Sequence, residues 1–196
     1  MSETSLILKA LEFAAARHRT QLRKGLDRTP YINHPIQVAS LLANFAGETD
    51  PVLLAAAILH DVIEDTVDSV KERDELISII SAKFGEEILV LTLEVTDDKT
   101  LDKKERKRLQ VVNAPHKSDN AKKLKIADKI MNLLDITEKP PADWDLQRIS
   151  DYFDWANNVV TGLRGVNTKL DYMFDECLSG GRLKYGLDTV RRINVT

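Results

Sequence analysis

A chain of 196 residues, 43% hydrophobic and 30% charged, is long enough for one full core, too short for two comfortable catalytic domains, and too apolar for disorder. A net charge of −3 argues against a nucleic-acid binder, and a single cysteine, Cys177, excludes an internal disulfide or a cysteine-rich zinc site. The longest apolar run, residues 52–59, falls far short of the roughly 18 residues needed to span a bilayer, and no basic segment followed by an apolar core marks the N-terminus, so a soluble, cytoplasmic protein is expected.

Apolar positions recur at helical spacing almost throughout, while period-2 alternation is hard to find, so the expected fold is an all-α, single-domain helical bundle. A first amphipathic helix is expected over 5–22, followed by a polar loop over 24–31 with Gly25 and Pro30. A second begins at His34-Pro35 and stops at Gly47; Asp50-Pro51 repeats the start signal for a third, buried helix. Ser69 with Glu72 three residues on is a capping box for a fourth, which Gly85 ends. Further helices are expected over 86–94, 101–112, 119–136 and 145–176, with Pro140-Pro141 punctuating the last connection and Asp143 as a candidate cap. No signal is clear beyond Ser179-Gly180-Gly181, so the expected domain covers 1–178 and leaves 179–196 as a tail of unknown role.

The third helix carries the most informative stretch. Its apolar run ends in His60-Asp61, with Glu64-Asp65 one turn later, and three carboxylates beside an imidazole on an otherwise greasy helix are costly to desolvate unless a cation compensates them. Spacing of four puts His60 with Glu64 and Asp61 with Asp65 on adjacent stripes, so the four heads can converge. His34 stands at a proline-marked helix start, which can aim an imidazole inward or simply cap the helix. Asp128, Asn132 and Asp135 fall at i, i+4 and i+7, either as part of a site or as a polar face turned to water.

His34, His60, Asp61 and Asp128 together make a mixed nitrogen and oxygen set suited to Mn²⁺, Fe²⁺ or Zn²⁺ rather than calcium. Four such ligands in an octahedral field leave room for a water and a phosphate oxygen, as metal-assisted phosphoester hydrolysis requires, with Glu64 and Asp65 outside the ligand set to accept a proton. A basic run, Lys99, Lys103, Lys104, Arg106, Lys107 and Arg108, reads either as a solvated helix face or as the rim of an anion site.

The early histidine, the His-Asp doublet and the distant aspartate resemble the HD phosphohydrolase superfamily. Thr29-Pro30-Tyr31-Ile32-Asn33-His34-Pro35, His60-Asp61-Val62-Ile63-Glu64-Asp65-Thr66, Val95-Thr96-Asp97-Asp98-Lys99, Glu105-Arg106-Lys107-Arg108-Leu109-Gln110 and the stretch Lys125-Ile126-Ala127-Asp128-Lys129-Ile130-Met131-Asn132-Leu133 narrow the resemblance to the hydrolase domain of RelA/SpoT-type alarmone enzymes. It is closest to the small stand-alone alarmone hydrolases and runs from about residue 8 to about residue 165.

The resemblance implies an HD-type bundle that hydrolyses the 3′-pyrophosphate of guanosine 3′,5′-bis(diphosphate) (ppGpp) and its pentaphosphate, with Mn²⁺ as cofactor. It carries the metal ligands over to His34, His60, Asp61 and Asp128, and water activation to Glu64 and Asp65. Arg23 and Lys24 match the basic pair near guanine and ribose, while Lys99, Arg106, Asn132 and Tyr152 carry over to substrate binding, Tyr152 reading equally as core packing. The expected partner is a small nucleotide, with no nucleic acid and no membrane; the oligomeric state is not legible. The alternative is the same centre acting on another 2′/3′- or 5′-phosphorylated nucleotide. The loop Gly25-Leu26-Asp27-Arg28 matches no pattern residue by residue.

Overall fold

The computed structural model describes residues 2–25 and 27–187. Ser2 caps the first helix, α1 (Glu3–Arg17), its hydroxyl accepting from the Ser5 amide. α1 ends at Arg17 rather than running to 22, because His18 leaves the helix and buries its imidazole. α2 (Asn33–Ser40) starts one residue before His34, continues as a π-helical turn (Leu41–Ala46), and stops at Gly47, whose φ of 79° only glycine adopts without strain.

Asp50 caps α3 (Pro51–Leu59) by accepting from the Val52 amide, with Pro51 in the first turn as expected. After His60 and Asp61 comes the single turn α4 (Val62–Asp65). α5 (Val70–Phe84) opens on the Ser69 cap, with the Glu72 carboxylate returning to the Asp68 amide, and ends at Gly85. α6 (Glu86–Val95), α7 (Lys103–Asn113, capped by Asp102) and α8 (Asp119–Glu138, capped by Ser118) follow.

The helix expected over 145–176 is two helices, α9 (Leu146–Thr161) and α10 (Thr168–Lys184). The chain turns at 162–167, where Gly165 has a φ of 94° and a Cβ on Gly162 would lie 2.9 Å from Ala114 and Pro115. The cap of α9 is Asp145, not Asp143. α10 also crosses the boundary expected at 178 and buries Gly181 against Thr137 and Phe153. The remainder of the expected tail, 188–196, lies outside the described residues.

Among the described residues there are no strands, only isolated bridges joining Leu22 to Pro30 and Gly25 to Pro141. No helix among them is long and apolar enough to cross a membrane. α3 is the hub, packed against α1, α2, α6 and α8. Ala10 and Ala14 of α1 are fully buried, as are Ala55, Ala56 and Ala57 of α3, and such small side chains let helix backbones approach closely. The hub thereby fixes the position of the doublet at its C-terminal end.

Candidate active site

At the junction of α3 and α4 the chain turns through Asp61, at φ −96° and ψ −6°. This brings two consecutive side chains to one centre: His60 Nε2 lies 3.0 Å from Asp61 Oδ2, without the alignment of a hydrogen bond. His60 Nδ1 donates to the Ala57 carbonyl at 2.7 Å, which turns Nε2 inward. From α2, His34 Nε2 sits 3.1 Å from Asp128 Oδ1 and 3.9 Å from Asp61 Oδ2. Ligand atoms of His34, His60 and Asp128 all lie within 4.8 Å of one another, and all three residues are buried.

Two ring nitrogens and carboxylate oxygens thus crowd one small volume, with His60 Nε2 lacking any hydrogen-bond partner. That donor set fits a divalent cation. Asp61 stands beside the three-residue cluster, against both imidazoles, and its Oδ2 also accepts the Tyr31 hydroxyl at 2.6 Å. Burial lowers His34 below the usual imidazole range; it would lower His60 too, but the Asp61 carboxylate brings it up to about 9.

Asp128 is held from beneath. Its Oδ2 pairs with Lys129 Nζ at 2.8 Å, and its Oδ1 accepts from Asn132 Nδ2 at 2.7 Å. Burial opposes charge on Lys129, yet the Asp128 carboxylate keeps it above the ordinary lysine value. Lys125, one turn earlier, is also buried and reaches the Val95 carbonyl at 3.3 Å. The face of α8 that carries Asp128 is therefore turned inward, which overturns the solvated alternative for that residue.

Glu64 and Asp65 lie side by side under two of the basic residues. Lys99 Nζ is 2.9 Å from Asp65 Oδ1 and 3.4 Å from Glu64 Oε1, and Arg106 Nη1 is 3.7 Å from Glu64 Oε1. Burial raises Glu64 above the usual carboxylate range, helped by the charges of Asp61 and Asp97. The rest of the basic run divides as surface: Arg108 pairs with Glu105 at 2.7 Å, Lys107 lies 4.5 Å over the Trp155 ring, and Lys103 and Lys104 are exposed.

A cavity of about 490 Å³ opens beside this centre, lined among others by Arg23, Lys24, His34, Asp65, Asn132 and Tyr152. Arg23 donates to Asn132 Oδ1 at 3.0 Å, pairs with Asp135, and stands 5.5 Å over the Tyr31 ring; Lys24 is exposed at the mouth. Tyr152 is both core and wall, its ring 5.6 Å from Trp144 and 5.2 Å from Trp155, its hydroxyl pushed up to about 12 by burial. His34, His60, Asp61, Asp128, Glu64, Asp65, Lys99 and Arg106 thus lie in or beside the centre and Arg23, Lys24, Asn132 and Tyr152 on the cavity, while Lys103, Lys104, Lys107 and Arg108 do not join them.

Gln21, Tyr31, Lys129 and Trp144 are among the neighbours that carried no assigned role. The signal for Lys129 was present, since Lys125, Asp128, Lys129 and Asn132 recur at i, i+3, i+4 and i+7, one helix face. Gln21 and Trp144 come from loops, where spacing says nothing.

Compared with known proteins, the HD-domain family profile matches residues 10–150. The guanosine-3′,5′-bis(diphosphate) 3′-pyrophosphohydrolase MESH1 of Xenopus tropicalis is 49% identical over 177 residues, 88% of this chain and 95% of the relative. MESH1 of Homo sapiens is 49% identical over 170 residues, 87% of this chain and 91% of the relative. The solved structure of a metazoan ortholog of SpoT that hydrolyses ppGpp aligns with a TM-score of 0.83 at 43% identity, covering 89% of this chain and 94% of that chain. Sequence and fold agree along nearly the whole length of these relatives, and the chain belongs to the HD-domain family, in the group of the MESH1 pyrophosphohydrolases.

Proposed function

We propose that this protein is a cytoplasmic, Mn²⁺-dependent hydrolase that removes the 3′-pyrophosphate of guanosine 3′,5′-bis(diphosphate) and its pentaphosphate, giving GDP or GTP and pyrophosphate. The observation that carries the reading is a His34, His60 and Asp128 cluster with Glu64 and Asp65 on the single helical turn that follows His60-Asp61, in a chain 49% identical to enzymes of that name. His34, His60, Asp61 and Asp128 would hold the ion. When bound, a divalent ion supplies polarisation of a phosphate oxygen and a lowered pKa for water.

Glu64, raised by burial, takes a proton from the water that attacks the phosphorus on the ribose 3′-oxygen. The bond from that phosphorus to the 3′-oxygen breaks, the oxygen leaves with a proton, and pyrophosphate is released. Asp65 orients the water. Lys99 and Arg106, already facing these carboxylates, contact the anionic pyrophosphate, while Arg23 and Lys24 receive the base and ribose in the cavity.

The test is pyrophosphate release from the purified protein with Mn²⁺ and with chelator, beside a panel of other 2′-, 3′- and 5′-phosphorylated nucleotides. Metal-dependent release from the guanosine bis-diphosphate is expected. Turnover of another nucleotide alone would retain the centre and discard the guanine assignment.

A further inference from the structure

Behind Asp65 runs a short chain of polar side chains that takes no part in the steps above. Gln21 Nε2 donates to Asp65 Oδ2 at 3.1 Å, and Gln21 Oε1 accepts from His18 Nδ1 at 2.6 Å. A carboxamide has one donor end and one acceptor end, so a carboxylate at one end demands the N–H there and leaves the oxygen for a donor at the other. His18 supplies that donor. Its imidazole is buried, its Nε2 has no hydrogen-bond partner, and its ring packs 4.9 Å from that of Tyr31. Burial also lowers His18 against the pull of Gln21, Asp61 and Asp65, which favours the neutral ring with its proton on Nδ1. On the opposite side Lys99 holds Asp65 Oδ1 at 2.9 Å, so both oxygens of a carboxylate that lines the cavity are fixed.

We propose that His18 and Gln21 are positioning residues that act through Asp65: His18 sets the direction of the Gln21 amide, and the amide sets the carboxylate that orients the attacking water. This rests on the hydrolase reading above. The competing role is local, since His18 caps α1 and the Gln21 backbone N–H donates to the His18 carbonyl at 3.0 Å.

Two histidine variants separate the roles. His18→Phe keeps a ring against Tyr31 and has no donor; His18→Asn places an N–H near the position of Nδ1 and has no ring. Pyrophosphate release with Mn²⁺ is measured on both, on Gln21→Met and on the wild type, alongside melting temperatures. Expected is a kcat lower by about 10–100-fold in His18→Phe and Gln21→Met with KM within about twofold, and near-wild-type turnover in His18→Asn. The reverse order, with Phe active and Asn impaired, assigns packing and overturns the proposal, as does a loss confined to KM. Should neither histidine variant fold, Gln21→Met decides: an unchanged kcat overturns the proposal and a fallen kcat at constant KM supports it. An inactive wild type would instead remove the hydrolase reading together with this role, whereas an active wild type with the reversed order removes only the role.

Discussion

Lys129→Met tests the compensation of charge at the centre. Lys129 is 4% exposed and Asp128 6%, with Nζ and Oδ2 2.8 Å apart. Methionine keeps the apolar stem beside Trp155, so the change subtracts mainly a charge. Breaking a buried pair by removing one member costs about 3–5 kcal/mol, because the survivor is left uncompensated. Here Asp128 retains Asn132 at 2.7 Å and His34 at 3.1 Å on its other oxygen, which sets the expectation at the low end, about 3 kcal/mol. With a urea slope of roughly 2 kcal/mol/M, the apo midpoint falls by about 1.5 M. Repeated in saturating Mn²⁺, the deficit shrinks by half or more, since the ion returns positive charge to the same carboxylate and binds only the folded state. An apo midpoint within about 0.3 M of wild type would refute the compensation argument. A deficit of undiminished size in Mn²⁺ would mean that no ion binds beside Asp128.

Asp61→Ala is expected to abolish both Mn²⁺ binding, read by calorimetry, and turnover; full activity in this variant would sink the assignment of the centre. Glu64→Ala is expected to keep the ion and lose about 10²–10⁴ in rate, the range for a general base. Glu64 works ionised, so kcat/KM is held at high pH and lost as pH falls through its raised pKa; Lys99 pulls that value down, and Lys99→Met therefore moves the acid limb to higher pH. A limb that stays in place or moves down contradicts the argument. Gly181→Ala sets two effects against each other: alanine gains about 1 kcal/mol of helix propensity, but its Cβ would lie 2.6 Å from Thr137 Oγ1 and 2.8 Å from Phe153 Cζ. Overpacking of about 1–3 kcal/mol wins, and Tm falls by a few degrees; a rise would mean that α10 is not seated as described.

The parts of this architecture written in local chemistry were legible. Asp50-Pro51, Ser69 with Glu72, and Gly47 each mark a helix end through one side chain or one φ angle, and all three stand where the sequence put them. The ends of α1 and of α9 were missed because tertiary structure decides them. His18 leaves the helix to bury its ring and meet Gln21, and the break at 162–167 follows from Gly162 packing against Ala114 and Pro115, a contact between distant segments. The ligand-type residues were readable because His60, Asp61, Glu64 and Asp65 directly follow an apolar run, where polar heads demand a reason, although the chain breaks between α3 and α4 instead of carrying all four on one helix. Lys129 shares a helix face with Lys125, Asp128 and Asn132 by its spacing, but spacing alone does not say that this face of α8 turns inward. Asn132 gains a second meaning from geometry alone, its amide bridging Asp128 and Arg23.

The burial of α3 divides the site by how it opens. Residues 55–59, which lead into His60, are buried inside a ring of other helices, so their amide hydrogens are expected to exchange only when the whole molecule unfolds. The segment bearing Arg23 and Lys24 alternates half-buried and exposed residues and is tied by isolated bridges, and its amides are expected to exchange through smaller local openings. One side of the site is thus expected to be as durable as the protein itself, and the other to open locally without disturbing the residues set for chemistry.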